Sequence, residues 1–597
     1  MASSAVITTP LKQAIPVQFT QTMVMGLAVL VGLIAWWRWR ENAATAPPDL
    51  PWVARREGVW ILRDWRTRMW CWWNYEEALR RAYNEFARHS KPCVLATLDS
   101  EVVLLPPSST SWLVSQPDTI LSVSEARKRI LQTKYTFPRP EVVDRPVHCD
   151  ILDSELTSKT STVTQEVCDE LNAAVDRIWG PDPEDEDEEQ ERVGKGGWKT
   201  VVLLDSMTSI VARVSNRVFV GLPLCRDETY LKNATGFAEN VTFSAAILSL
   251  IPAGIRALVA PLATYSNRKH ARQFTRILTS EILRRQSQAS YGGNNATSEG
   301  KREDSKDDLL QWLLTRTQTS SHSTPDETDP EVLCARLLHT NFASIPTTSF
   351  IATNALLDIL ASPRQERVQE ILRREAVDTV DQGRDGDGPE TMWQRTSLSE
   401  MRCLDSAVRE SSRRAGILGV GLTRVVTAPG GVTTPEGWHI PKGCMVGTHS
   451  WGIHHDADLY PDAAKYKTFR FVETADATRN IGHAKREDAD ENDQDNERQN
   501  DKTNPDGLPP RLSLPTTSPS DLEFGHGPHA CPGGFFAAEE LKLLLAYVLS
   551  KYEIQMVMEG GVGGNWNGRG VRPECYWVGP VRCPPAGAKV RVRRRKE

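Results

Sequence analysis

Phe524-Gly525-His526-Gly527-Pro528-His529-Ala530-Cys531-Pro532-Gly533-Gly534-Phe535 is the stretch from which the fold of this chain is read. It sets one cysteine between glycines at the mouth of an apolar run that includes Phe536, Leu541, Leu543, Leu544, Leu545, Tyr547, Val548 and Leu549, a buried helix by its pattern. Glycine lets the backbone bend and approach a flat, bulky partner with no Cβ in the way. Pro532 suits a first helical turn, where its missing N–H costs nothing. A sulfur at a helix N-terminus meets unpaired N–H groups and the positive dipole end, so its thiolate is expected to be favoured. An anionic sulfur ligand for iron requires that environment. A free cysteine in a tight turn is the plain alternative. Structural zinc takes about four ligands, usually paired as C-x₂₋₄-C, and Cys531 has no such neighbour.

Upstream of the loop, Glu331–Ala361 reads as a long helix with a broad apolar face, and it carries Ala343-Ser344-Ile345-Pro346-Thr347-Thr348. Glu410-Ser411-Ser412-Arg413 is an i, i+3 acid–base pair, a pattern that alone marks only a solvated helix face. Its position gives it meaning, because Phe469-Arg470-Phe471 follows about sixty residues later.

The spacing Phe524-x-x-Gly527-x-His529-x-Cys531-x-Gly533 resembles the haem-ligand loop of cytochrome P-450 monooxygenases. The resemblance implies that Cys531 is the axial ligand of haem iron, within a loop defined by Phe524, Gly527 and Gly533. It implies that His529 contacts a haem propionate, and that Glu410, Arg413 and Arg470 form a buried charge network that retains the haem-side core. Thr347 aligns with the family threonine that helps deliver protons during oxygen activation. Pro346 departs from the pattern, which has an acid (or, in some fungal members, His) there; the helix is expected to open locally, since proline cannot donate to the Phe342 carbonyl. Pro528 and Gly534 stand where relatives often have arginine. The tryptophan–arginine pattern of an early helix is missing, with His148 in that region.

Ile210–Gly221, Pro223–Arg226, Asp308–Leu313 and the cysteine loop are similar to the fungal ent-kaurene-oxidase-like branch of secondary metabolism, the likeness covering about residues 50–597 except the acidic insertions. The expected fold is the mainly α cytochrome P-450 fold with a minor β portion, behind an N-terminal transmembrane helix. The implied activity is insertion of one oxygen atom from O₂ into a lipophilic metabolite, a terpenoid by analogy, using haem b. Electrons come from NADPH through a membrane-bound reductase, because no dinucleotide or flavin segment is found in the chain. A haem-thiolate catalyst of rearrangement or dehydration, and a non-catalytic membrane-tethered haem protein, are the alternatives.

Composition agrees with a globular body: 40% hydrophobic and 25% charged residues, with a formal net charge of −6 that gives no support for nucleic acid as a partner. Eleven cysteines without pairing argue for a reducing compartment. Residues 1–45 read as a membrane anchor, with the span at about 14–37 followed by Arg38 and Arg40 and flanked by Trp36, Trp37 and Trp39. That places residues 53–597, the catalytic domain, on the cytosolic face of the endoplasmic reticulum membrane, joined through a proline-rich hinge at 46–52. The sequons at Asn233, Asn240 and Asn295 are then chance matches. Acidic or polar insertions are expected near 181–195 and 475–520. A capping box at Ser397-Leu398-Ser399-Glu400 is expected to start a helix that runs to about Arg414.

Overall fold

The computed structural model describes residues 46–55, 60–98, 100–158, 160–180, 197–292, 306–319, 325–383, 395–472, 513–557 and 572–595. The expected span at 14–37 and the acidic stretch at 181–195 lie outside these residues, as does most of the 475–520 insertion. Among the described residues no helix is long and apolar enough to cross a membrane.

The helices that build the site are α1 (Val123–Leu131), α2 (Val147–Ser158), α3 (Leu203–Phe219), α4 (Glu228–Leu250), α5 (Ala253–Ala263), α6 (Tyr265–Gly292), α7 (Pro330–Ala361), α8 (Val368–Gly383), α9 (Arg402–Arg414) and α10 (Gly534–Lys551). Helix α7 is the axis. Asp329 caps it by accepting the Glu331 N–H at 2.9 Å, and Pro330 occupies the first turn. Most of its length is buried on every side, the mark of a helix inside the core rather than on its surface. Helices α3, α4, α6 and α9 pack around it, and one apolar cluster runs from Phe137 through α3, α4, α7 and α10 to Val592.

The β portion is a five-stranded sheet to one side. With β1 (Cys93–Ala96), β2 (Glu101–Leu105), β3 (Leu121–Ser122), β4 (Gly421–Val426) and β5 (Met445–Thr448), its order is β1-β2-β5-β4-β3. The β1–β2 hairpin has the register Cys93↔Leu104, and β2 pairs parallel to β5. A three-stranded sheet joins Lys199–Val202, Lys589–Arg594 and Tyr552–Val557, and α3 follows its first strand at once, from Leu203.

Two local expectations are corrected. The capping box does not start α9: Arg395–Glu400 is a separate helix, and Met401 precedes α9. The start of α9 is satisfied from another helix, where the Glu375 carboxylate of α8 accepts the N–H groups of Cys403 at 2.7 Å and Leu404 at 2.8 Å. Helix α7 also runs unbroken through Pro346. The burial of most of α7 outweighs the single backbone bond that proline removes. Asn233 is buried in α4 and bonded to Thr229 and His270, in keeping with an unused sequon.

Glu540 of α10 is buried against Ser215 of α3, whose hydroxyl lies 3.1 and 3.2 Å from the two carboxyl oxygens. Burial pushes its pKa up to about 8, so it is protonated in the native state at neutral pH. An acid with a raised native pKa lends its full stability below the unfolded value and loses it as pH rises toward 8. Glu540→Gln is therefore expected to match the parent at pH 5 and to exceed it by roughly 2–3 kcal/mol at pH 7. Chemical denaturation at the two pH values measures this; an equal difference at both would show that Glu540 does not titrate.

Candidate active site

The cysteine loop is held by its own backbone. The Cys531 N–H donates to the Phe524 carbonyl at 2.8 Å, and Ala530 N–H to Gly527 O at 3.0 Å. Gly525 and Gly527 both have φ of +74°, and a Cβ on Gly527 would come within 2.9 Å of Val114 Cβ. Glycine is required at 527 by both conformation and packing. On the other flank, a Cβ on Gly533 would meet no atom within 4 Å, so that side of the loop faces open space.

Cys531 is exposed, yet burial among the surrounding protein pushes its thiol pKa up; the Gly533 N–H and then Arg127 oppose that rise. Both facts follow from a sulfur that looks into an internal space. The expectation of a favoured thiolate is thus corrected. Helix α10 starts at Gly534 with Gly533 as its cap, leaving the sulfur only one helpful N–H, and desolvation wins.

The opposite wall is α7. Between Val332 and Leu360, where the helix is otherwise buried, Ala343 and Thr347 are exposed, and Phe342, Ser344, Pro346, Phe350 and Ile351 are partly so; all but Ser344 fall on one face. These positions repeat at three and four residues, one stripe of a single face. A stripe of that kind inside a core helix can only border an internal space. The Thr347 hydroxyl is turned back onto its own helix, donating to Ala343 O at 2.7 Å with Ser344 O at 3.2 Å. The field of Arg127, on α1, links the two walls: it acts on Cys531 and on the buried His148 and His339.

Arginine and histidine donors lie near the loop. Arg424 of β4 is buried, its Nη2 has no hydrogen-bond partner, and desolvation pulls its pKa down to about 10. His529 lies 3.4 Å from Asp118 and has its pKa lowered by burial and then by Arg424. An unpaired buried guanidinium is costly unless an anion meets it. Sequence reasoning missed Arg127 and Arg424. The available signal was Arg424 itself, a lone charge in a strand of Gly, Leu, Thr and Val.

Glu410, Arg413 and Arg470 are brought together as expected. Glu410 accepts from Arg413 at 2.7 and 2.9 Å and from Arg470 at 2.9 Å, all three buried. Arg413 also donates to the carbonyls of His454 and Ala463, and Arg470 to that of Pro461. The triad ties α9 to the segment before the cysteine loop. His148 of α2 points to α7, where its Nε2 lies 2.7 Å from His339 Nδ1.

A family model described as Cytochrome P450 matches residues 186–563, more than half of the chain. The chain belongs to the cytochrome P450 family. Cytochrome P450 monooxygenase 151 of Postia placenta is 31% identical, over 81% of this chain and 82% of its own length. Cytochrome P450 monooxygenase astC of Aspergillus terreus is 28% identical over 92% of each. The cyanobacterial CYP120A1, solved with retinoic acid bound, has the same fold at 17% identity, with a TM-score of 0.53 over 84% of this chain and 91% of its own. This P450 is a haem-thiolate monooxygenase of the fungal secondary-metabolism type, and the rearrangement and non-catalytic alternatives are set aside. Its cofactor is haem b, its oxidant O₂, and its electrons come from NAD(P)H through a reductase.

The residues fit that group. One exposed sulfur donor stands in a loop bent by glycine, and a buried cation with a spare donor stands ready for a carboxylate.

Proposed function

We propose that Cys531 is the axial ligand of haem iron and that this P450 hydroxylates a lipophilic terpenoid-like metabolite at the endoplasmic reticulum membrane. The reading is carried by the exposed thiol of the glycine-bent loop and by the stripe left open on the core helix α7, both within the field of Arg127. Haem b held there supplies the oxidising chemistry, with the sulfur as an electron-rich ligand. Arg127, Arg424 and His529 would hold the propionate carboxylates; Arg424 gains the partner it lacks. Ala343 keeps the space above open by having only a methyl group. Thr347 holds a hydroxyl proton at that wall, and the partly exposed Phe342, backed by the buried Phe137, offers an apolar surface to substrate.

The membrane part of the reading rests on two features. One is the uncharged stretch that ends at Trp37. The other is the α4–α5–α6 corner, where Phe243, Leu258, Leu262 and Tyr265 are 63%, 80%, 81% and 66% exposed. Exposed apolar patches of this kind mark contact surfaces, and a bilayer also concentrates a lipophilic substrate. The reduced, carbon-monoxide difference spectrum of the purified full chain tests the ligand; a spectrum without the thiolate band rejects it.

Thr347→Ala is expected to leave the spectrum intact and to uncouple turnover. With the hydroxyl gone, product per NADPH falls about tenfold and peroxide rises in its place. Measuring peroxide against NADPH consumed checks this, and unchanged coupling removes Thr347 from proton delivery.

A further inference from the structure

His339 stands at the N-terminal limit of the α7 stripe, at i to Ala343 as i+4 and Thr347 as i+8, so the three share a face. Its hydrogen-bond partners determine where its proton sits. His148 Nδ1 lies 3.5 Å from Arg336 Nη1, and a guanidinium has only donors, so that nitrogen is the bare, accepting one. His148 Nε2 then carries its proton and donates to His339 Nδ1 at 2.7 Å. His339 is left with its proton on Nε2. Both rings stay neutral: burial, then the cations Arg127 and Arg336, lowers the His339 pKa to about 4, and burial, His339 and the same cations hold His148 well below its usual value.

That Nε2–H has no protein acceptor among the described residues. Nor is it sealed, in contrast to both nitrogens of His449, which are covered and partnerless. Around it the surroundings are aromatic. The Phe137 ring lies 5.6 Å from the His339 ring, and Phe237 and Phe342 meet Phe137 edge-on at 5.6 and 5.7 Å. One oriented donor in an aromatic wall discriminates by the acceptor it is offered.

We infer that the His339 Nε2–H is a specificity-determining donor to substrate, selecting a lipophilic skeleton that already bears a ketone or hydroxyl oxygen. This rests on the proposed haem-site reading. It also gives the enzyme a place in a sequence: an oxygenating reaction acts on the skeleton first, and this P450 oxidises its product rather than a bare hydrocarbon.

The test uses the purified full chain and a matched pair of probes, adamantane and 2-adamantanone, titrated while the haem absorption shift reports binding. In His339→Phe the ketone-over-hydrocarbon affinity ratio is expected to fall about five- to tenfold, the hydrocarbon Kd staying within about twofold. His339→Gln, which keeps a donor, is expected to retain the ratio. An unchanged ratio in His339→Phe, or equal weakening of both probes, overturns the inference. Should His339→Phe not fold, nitrogen NMR of histidine-labelled wild type decides; an Nδ1–H tautomer at His339, or a resonance indifferent to the ketone, overturns it. A missing thiolate band with carbon monoxide would instead indict the haem-site reading.

Discussion

Cys531→Ser is expected to abolish the thiolate–carbon monoxide band and to lower monooxygenase activity at least about a thousandfold. Serine keeps the size and the loop geometry, since the turn is set by Gly525, Gly527 and the Cys531 N–H bond to Phe524. What it removes is the sulfur. A hydroxyl in a site that already disfavours the anion of a thiol is harder still to ionise, so no equivalent ligand forms. Thiolate donation is the protein's main lever on haem-thiolate oxygen chemistry, and losing it affects the chemical step rather than binding. The difference spectrum and product formation under NADPH and O₂ measure the outcome. A serine variant with the parent band and rate would end the proposal for this site.

Glu410→Gln is expected to have the second largest effect, on folding. One buried carboxylate serves two buried guanidinium groups, and the amide leaves both without their counter-charge. Stranding one buried charge costs about 3–5 kcal/mol, while a whole domain is stable by about 5–15 kcal/mol. The variant should therefore yield little soluble, haem-loaded protein, and what survives should melt at least about 10 °C lower. Haem content per chain and the thermal midpoint check this. A variant with the parental midpoint would show that the triad does not hold α9 to the segment beneath it.

The cysteine loop was legible because its constraints are local. A positive φ at Gly525 and Gly527 demands glycine wherever the chain is placed, so the requirement is written in the residues. Glu410, Arg413 and Arg470 became readable only through family likeness, since an i, i+3 acid–base pair is mostly surface decoration. The capping box failed for a related reason. Ser397 and Glu400 satisfy a local rule, yet Glu375 from another helix supplies the acceptors. Arg127 and Arg424 carry no local pattern; they matter because of what lies across the space from them.

The oxygen-using chemistry came through family likeness; from its residues alone the chain settled the glycine-bent cysteine loop, the long apolar helix and the mainly α architecture. These depend on short-range sterics and on hydrophobic periodicity, which act within a few turns of chain. Tertiary packing decided the thiol's unfavourable ionisation, the continuity of α7 through Pro346, the cations near the loop and the proton position on His339. Each of these is a matter of burial or of charge reaching across the core, and such effects exist only once distant segments have been brought together.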